Sequence, residues 1–357
     1  MKRLFIALSV VASLAACSKS EVAYEKDVEI SFLPVATNMT KGMLTDNFLS
    51  PKDQFNVWAW YKQVPHGTAV SDWNPTAKEH LYVDEGKFVH QEGSSWHGAT
   101  PYYWPKVGSL LFAGYYPSEL LTDEDIDYKF DSSTNKMVFT NIQAREVSSK
   151  ETTTEDLMYF NMTATSYNQG PVQVTFKHAM SWITVNLSRS DKINANTDGY
   201  PKVVVHSVKF MNVYTKGNAE VSGPDGKIVW NTIKDTEKDI NVNVDKDKDG
   251  TKDDVVLSTD PSKQVEPIFI PQVFKNNMTI DVHYTVYSSA NEHFTETYSA
   301  PLNKLKDKDS NTIIGWSAAK HYIYNISIGL DEILIEPEVA KWTEVTVNVP
   351  VDDIYQK

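Results

Sequence analysis

The chain contains a single cysteine, Cys17, among its 357 residues. One cysteine cannot form a disulfide within the chain, so packing and backbone hydrogen bonds have to stabilise the fold. Basic residues are outnumbered as well, since 34 Lys and Arg face 47 Asp and Glu and give a net charge of −13. Nucleic-acid binding requires a basic face, and this balance argues against it. An acidic surface suits a well-solvated extracellular protein.

Motifs of several enzyme classes are also missing. The sequence has no Gly-x-Ser-x-Gly elbow and no phosphate-binding loop, and its nine histidines do not show metal-ligand spacing. Acidic residues are so abundant that a pair at glycosidase distance is expected by chance. The sequence therefore predicts a protein that is not an enzyme and that, apart from the calcium question below, has no cofactor.

The first residues have the pattern of an export signal. A basic start, Met1–Arg3, precedes the apolar run Leu4–Ala12, and the small residues Ala15 and Ala16 lie directly before Cys17. Such a segment is a secretory signal, here of the bacterial lipoprotein type, with Cys17 as the lipidated new N-terminus. We expect residues 1–16 to be removed and residues 17–27 to tether the protein to a membrane. After Cys17 no stretch approaches the ~20 apolar residues of a membrane helix.

Short alternating segments follow along the rest of the chain. Apolar and polar residues alternate in 28–32, 172–176, 278–287 and 343–351, with Gly, Pro, Asn and Asp between such segments. No segment reads as an amphipathic helix of a dozen residues. We predict an all-β protein of two tandem β-sandwich domains. Gly170-Pro171 is a strong break, so residues 28–168 and 169–357 are expected to form the two domains.

Two hairpins are predicted from turn residues. The first joins Tyr82–Val83 to Lys87–His90 through Asp84–Gly86, and the second joins Ile240–Val244 to Val255–Leu257.

The tip of the second hairpin is rich in aspartate. Asp245, Asp247 and Asp249, followed by Gly250 and Asp253, have the spacing of a calcium loop. Val256 replaces the glutamate that an EF-hand needs at its twelfth position, and lysines interleave the acids. Two interpretations stay open, a calcium site at Asp245, Asp247, Asp249 and Asp253, and a solvated hairpin tip.

Four patches resemble a known family. They are YYWPKVGSLLFAGYYP at Tyr102–Pro117, DLMYFNMTATS with GPVQVTFKHAMSWITVNL at Asp156–Leu187, EPIFIPQ at Glu266–Gln272, and GWSAAKHYIYNISIGLDEI with VAKW at Gly315–Trp342. In this order, behind a lipoprotein signal, they resemble the fimbrillin family, the type V pilus subunits and related lipoproteins of Bacteroides-like bacteria. The resemblance implies that both β-sandwich domains are transthyretin-like.

The resemblance also implies a maturation route. Family precursors are exported as lipoproteins, and a protease removes the N-terminal segment with its first strand. A groove opens, and the C-terminal strand of a neighbouring subunit fills it by donor-strand exchange. In this chain residues 28–41 correspond to the removed segment, and Lys41 corresponds to the basic cleavage residue. Some members are cut after arginine, which the loop lacks, so an ordinary exposed lysine is the alternative for Lys41.

The alternating segments at the two ends fit the two strands of this exchange. Val28, Ile30 and Phe32 lie where the displaced strand is expected, and Val345, Val347, Val349 and Val351 lie within the expected donor strand, 343–351. Unpaired strand edges beside an apolar groove can accept such a segment. The alternative is that both segments are permanent strands of their own domains.

The resulting prediction is a structural subunit of a cell-surface pilus that contributes to adhesion. Its expected partners are other pilin subunits, the outer membrane through the lipid on Cys17, and a host or bacterial surface ligand. Its expected location is the outer-membrane surface, then the fimbrium after maturation. The alternative function is an outer-membrane surface lipoprotein that binds a glycan or host ligand without polymerising. Trp73 and Trp96 are its candidate sugar-stacking residues, although core packing explains most tryptophans.

Overall fold

A computed structural model describes residues 28–35, 54–62, 81–90, 95–106, 108–118, 127–131, 136–144, 156–166, 170–193, 199–222, 226–242, 253–263, 266–307, 309–329 and 333–341. These residues form β-strands, turns and a single 3₁₀ turn at Leu302–Lys304, with no α-helix among them. The all-β prediction is confirmed. Within the described ranges there is no helix with the length and apolarity to span a membrane.

The strands of the first half are β1 Ser31–Val35, β2 Gln54–Lys62, β3 Leu81–His90, β4 Trp96–Gly98, β5 Ser109–Tyr116, β6 Asp127–Asp131, β7 Lys136–Gln143, β8 Met158–Ser166, β9 Val172–Thr175 and β10 Lys177–His178. Those of the second half are β11 Ser181–Arg189, β12 Lys202–Tyr214, β13 Lys216–Ser222, β14 Lys227–Thr232, β15 Glu237–Asn241, β16 Val255–Val256, β17 Ser262–Lys263, β18 Ile268–Phe269, β19 Gln272–Val273, β20 Thr279–Tyr287, β21 His293–Pro301, β22 Gly315–Trp316, β23 Lys320–Ile328 and β24 Ile333–Lys341.

Sheet I is a rolled sheet in the first half of the chain. Its eight strands follow the order β10-β8-β5-β2-β3-β4-β1-β9. The two end strands, β9 and β10, are separated in sequence by Phe176 alone, so the ends of the sheet meet. Phe176 is buried and contacts Phe55 and Phe160 with ring centroids 5.4 and 5.1 Å away. The interior of the roll is therefore a largely aromatic core.

Sheet II covers the outer face of sheet I and has the order β14-β13-β7-β6. The Tyr115 ring on β5 lies 5.9 Å from the Phe139 ring on β7. Because β2 and β5 pack against the interior on one face and sheet II on the other, most of their residues are buried in unbroken runs.

Sheets III and IV form a β-sandwich in the second half. Sheet III follows β17-β11-β23-β24, with β18 on β11, and sheet IV follows β15-β12-β20-β21, with β16 on β12. Between them, the Phe210 ring on β12 lies 5.6 Å from Phe269 and 5.3 Å from Tyr324. Strands β19 and β22 form a separate two-stranded sheet, in which Gln272 is opposite Trp316.

Sheet II also joins the two halves of the chain. Its strands β6 and β7 precede residue 168, whereas β13 and β14 follow it. Lys216–Ser222 of β13 pair antiparallel with β7. One continuous buried cluster accordingly extends from Trp58 and Tyr115 to Tyr324. Residues on both sides of the predicted boundary thus share a sheet and a core.

The first predicted hairpin is wrong. Residues 81–90 form one continuous strand, β3, which pairs with β2 on both sides of Glu85. Glu85 has a φ of 50°, and the register shifts between Val57 and Ala59 on the partner strand. A β-bulge absorbs the turn residues here, so the chain twists and continues instead of reversing.

The second predicted hairpin is also wrong in its pairing. Strands β15 and β16 do not pair with each other, because both pair with β12. Lys209 of β12 is opposite Asn241, and Val204 is opposite Val256, so the two short strands lie one after the other along the same long strand. The Asp-rich segment connects these two positions.

Candidate functional site: the β1 seat

The β1 seat is the set of residues that surround residues 28–35. Strand β1 lies between two strands of sheet I: it is antiparallel to β4, with Phe32 opposite Trp96, and parallel to β9, with Phe32 opposite Val172. The pairing with β9 continues to Val35, opposite Thr175. An N-terminal segment thus occupies an interior position of the sheet, with backbone partners on both sides.

The residues before β1 are bonded as well. The Ile30 amide donates to the Tyr102 carbonyl at 2.8 Å, and the Trp104 amide donates to the Val28 carbonyl at 2.8 Å. Glu29 forms an antiparallel bridge with Tyr103 between these two bonds. The segment is therefore bonded to its neighbours from Val28 onward.

Alternate side chains of the segment point into the core of sheet I. Ile30 and Phe32 are fully buried, and Val28 packs against the same cluster. The Phe32 ring meets Phe88, Phe112 and Phe55 edge-on, with centroids 4.7, 5.2 and 5.8 Å away. Such contacts add to the free energy of burying the rings. The structure brings together the three residues named as the displaced strand and places them on one buried face.

A polar pair lies at the rim of the seat. His97 Nδ1 on β4 lies 3.3 Å from Glu29 Oε1, and the Ser95 hydroxyl lies 3.0 Å from His97 Nε2. Both side chains are partly exposed, so solvent weakens the interaction between them. Residues 28–35 are held in sheet I mainly by their buried apolar side chains. The pair of Glu29 and His97 helps to set the register of the segment.

Removing the segment would expose two strand edges and one apolar trough. Strand β9 pairs with no strand other than β1 among those described. Without β1, the β4 and β9 edges would present unpaired N–H and C=O groups beside Phe55, Phe88 and Phe112. Such a seat can hold an extended segment with alternating apolar side chains. The sequence did not indicate that β4 and β9 are the two strands that flank β1.

Two histidines in the family-like patches, His178 and His321, are buried and contact polar side chains. His178 is buried against the Asp156 carboxylate, where burial raises the pKa of Asp156 and the facing imidazole offsets part of that effect. His321 stacks on Trp182 at 3.7 Å, and its Nε2 lies 2.8 Å from Thr184 Oγ1. Both groups are buried parts of the scaffold.

Several predicted site residues lie outside the described residues. They are Cys17, Lys41, the donor residues Val345, Val347, Val349 and Val351, and three of the calcium candidates, Asp245, Asp247 and Asp249. Asp253, the fourth candidate, lies just before β16. Among the residues placed by the structure, no three His, Cys, Asp or Glu side chains cluster as metal ligands. The calcium site stays a prediction.

Of the two candidate sugar-stacking tryptophans, the structure describes only Trp96. Trp96 is 2% exposed and packs against His90 with ring centroids 4.7 Å apart, so it is a core residue, and the alternative of a sugar-stacking role for it is wrong. Its side chain belongs to the same buried cluster as Phe32 and Phe88. Trp73 lies outside the described residues.

Comparison with known proteins agrees with this architecture. The profile of the fimbrillin-like family matches residues 37–342. The chain is similar in structure to a fimbrial protein from Bacteroides vulgatus ATCC 8482, with a TM-score of 0.61, 16% identity, and coverage of 88% of this chain and 99% of that one. A candidate cell adhesion protein from Bacteroides uniformis ATCC 8492 gives a TM-score of 0.52, also with 16% identity and coverage of 88% and 99%. At this identity the likeness shows the fold. No curated protein matches the chain in sequence. The match of the family profile to most of the chain confirms the resemblance, and this protein belongs to the fimbrillin-like family.

Proposed function

We propose that this protein is a structural subunit of a cell-surface pilus, assembled by donor-strand exchange at the β1 seat. The observation that carries the proposal is the position of residues 28–35, which come early in the chain yet occupy an interior position of sheet I. Family membership and the fimbrial neighbour support the pilus role. In this proposal both halves are transthyretin-like sandwiches, and adhesion follows from assembly of the fibre.

In the proposed exchange, residues 343–351 of one copy replace residues 28–35 of the next. Val345, Val347, Val349 and Val351 would take the place of Val28, Ile30 and Phe32 on the buried face. The incoming backbone would satisfy the β4 and β9 edges, and the valines would fill the trough. A branched aliphatic side chain is smaller than Phe32, so neighbouring rings would have to close around it.

Assembly can be tested with a protein whose loop is cut at a chosen point. A Cys17→Ser chain carrying a specific protease site in place of residues 40–43 is purified as a monomer and then cleaved. We expect cleavage to produce ladders that resist mild denaturant. The same protein without residues 343–357 is the matched control and should stay monomeric. A cleaved full-length protein that remains monomeric, or a truncated one that forms ladders, would show that the donor assignment is wrong.

Processing and anchoring are the second part of the proposal. Cys17 carries the lipid at the outer membrane, and a protease cuts after Lys41, which separates residues 28–41, together with the tether 17–27, from the rest of the chain. N-terminal sequencing of protein from cell-surface fractions distinguishes the forms, because processed protein begins at Gly42 and the anchored form begins at acylated Cys17. A Lys41→Gln variant should accumulate in the anchored form, and a Lys52→Gln variant is the control. Detection of the acylated form alone would favour a permanent surface lipoprotein.

A further inference from the structure

An open cleft of about 680 Å³ lies on the side of the molecule where sheet II meets the β19–β22 pair. One wall consists of five consecutive residues of β14, 228–232, and the other consists of Pro271–Lys275. Trp316, Ser317 and Ala318 line it as well. We call this space the β14 cleft. It is separate from the β1 seat, since it shares no residue with β4, β9 or the segment 102–104.

The first wall is the edge of a sheet. Strand β14 ends sheet II, and of the strands described only β13 pairs with it. Five consecutive residues of this edge strand line the cleft, so a chain that enters it can reach the N–H and C=O groups that β13 leaves unpaired. Residues 228–232 extend over about 17 Å at the rise of a β-strand. The cleft therefore offers hydrogen-bonding groups along its length.

The lining of the cleft mixes apolar and polar side chains. Trp316 is 2% exposed and Phe274 is 7% exposed, and Trp230 is held by its Nε1 donating to the Ala179 carbonyl at 2.7 Å. Val229 and Val273 lie on opposite walls and are 55% and 73% exposed. Asn231 and Ser317 are polar members of the lining. An extended chain with alternating apolar and polar residues can place its apolar side chains against the apolar members of this lining.

The chain itself brings a suitable segment to the mouth of the cleft. On sheet III, Lys341 is the last described residue and pairs with Lys320, two residues after Ala318 of the cleft lining. Sixteen residues, 342–357, continue from there. Four residues reach at most about 14 Å, so a segment that starts at Val345 is within range of the cleft.

We propose that residues 345–351 of the same chain lie along β14 in this cleft before assembly, as an added strand of sheet II. Val345, Val347, Val349 and Val351 face Trp230, Phe274 and Trp316, whereas Thr346 and Asn348 face solvent. Pro350 lacks an amide hydrogen, which an edge position tolerates. In the monomer the cleft covers an aggregation-prone segment, since an exposed strand with alternating apolar residues promotes aggregation.

This inference goes beyond strand exchange and does not require it. The donor-strand proposal concerns where residues 345–351 bind in a neighbouring subunit. The present inference concerns where the same residues lie in their own chain. The two proposals are distinguishable, because binding of residues 345–351 in the β14 cleft is a property of the uncleaved monomer and is measured without any polymer.

Disulfide trapping tests the placement directly. In a full-length Cys17→Ser chain, Val273→Cys is combined in turn with Val345→Cys, Val347→Cys or Val349→Cys, since a disulfide forms only when the two Cα atoms lie within about 7 Å. We expect a cross-link within one chain for at least one pair, unchanged on dilution. Val256→Cys, at a valine that is 57% exposed on sheet IV, is the matched control and should not cross-link. Cross-links only between chains, equal trapping with Val256→Cys, or no trapping would each overturn the proposal.

Hydrogen exchange gives a second readout that needs no cysteine. Deleting residues 343–357 should speed amide exchange in 228–232 by about tenfold or more, because the covered edge becomes accessible. Strand β21 is the internal control, since in the described structure it is also an edge strand, paired with β20 alone. Unchanged exchange in β14 after the deletion, or an equal change in β21, would overturn the proposal.

Discussion

Phe32 has an unusually large role for a single side chain near the start of the chain. Its ring is fully buried and meets three other phenylalanine rings edge-on inside sheet I. The same residue is expected to leave when the segment is removed. Its packing therefore holds residues 28–35 in sheet I, and in the proposed exchange the rings that it leaves behind would line the open seat.

Truncation of Phe32 should cost the protein much of its stability. Phe32→Ala leaves a cavity among Phe55, Phe88 and Phe112, and we expect the free energy of unfolding to fall by about 3–5 kcal/mol. Chemical denaturation measures the loss. Phe294→Ala, at a ring that is 45% exposed on β21, is the control and should change stability by about 0.5 kcal/mol or less. Similar losses for the two variants would contradict this account of the core.

The buried pair of Asp156 and His178 should behave differently from a surface ion pair. Asp156→Leu alone leaves His178 buried without its carboxylate, and we expect a loss of about 3–5 kcal/mol. The double variant Asp156→Leu/His178→Leu should lose less, because neither buried polar side chain is then left without the other. Denaturation of both variants provides the comparison.

The surface pair between Lys136 and Glu220 is the control for this prediction. Its nitrogen and oxygen are 2.6 Å apart, yet both side chains are more than a third exposed. Glu220→Gln should therefore cost about 1 kcal/mol or less. A double Asp156/His178 variant that is less stable than the single one would argue against a desolvated pair.

Tyr159 should make the fold sensitive to alkali. Burial raises the pKa of Tyr159 to about 12, and its hydroxyl donates to the Gly226 carbonyl at 2.9 Å. The unfolded chain ionises near pH 10, so this contribution to stability is intact below about pH 10 and is lost as the pH rises to about 12. Tyr159→Phe should flatten this loss without abolishing it, because burial also raises the pKa of Tyr284 and Tyr324. Alkaline denaturation curves of the two proteins measure the difference, and identical curves would refute the assignment.

At the scale of elements, strand β5 is the part of sheet I where we expect substitutions to be least tolerated. It pairs with β2 and β8 and is buried along nearly its whole length. Gly114 lies where β5 and β2 approach closely, and a Cβ there would lie 2.5 Å from both the Asn56 carbonyl oxygen and the Phe160 ring. The strand therefore needs a residue without a side chain at this point.

Substitution of this glycine should distort the element. Gly114→Ala is expected to destabilise the protein by about 1–3 kcal/mol, because the backbone of β2 and the Phe160 ring have to shift. Gly170→Ala is the matched control, since a Cβ there would have nothing within 4 Å. Thermal unfolding of the two variants is the measurement, and equal midpoints would contradict the close approach.

Strands with regular patterns could be predicted from the sequence, and strands defined by distant partners could not. The alternating segments 172–176 and 278–287 were expected as strands and correspond to β9 and β20. Strand β24 was missed because it contains Pro337, which argues against an interior strand, but β24 lies at the end of sheet III. The burial of Phe32 follows from the alternation of apolar and polar residues in 28–32. The parallel pairing of β1 with β9 joins residues that are far apart in sequence, so no local pattern predicts it.

At the scale of the whole molecule, sheet II couples the two halves. The hairpin of β13 and β14 adds to β7, and the buried cluster is continuous across the residues on both sides of position 168. A structural change in one half thus reaches the other through shared backbone pairing and a shared core. The halves are expected to unfold together.

Cooperative unfolding is directly measurable. The full chain should show one calorimetric transition, and Gly114→Ala in sheet I and Phe210→Ala in the sandwich should each lower the temperature of that same transition. The Phe210 ring contacts Phe269 and Tyr324, so its loss affects a region remote from Gly114. Two resolved transitions, each sensitive to one variant, would show that the halves are independent.

The parallel alignment of β1 with β9 has a consequence for how copies would stack. A strand that replaces β1 reproduces both ladders only if it runs in the same N-to-C direction. Every copy added through this seat then faces the same way as the last, and the contact joins two different surfaces. Repetition of such a head-to-tail contact without closure yields an open filament with two distinguishable ends.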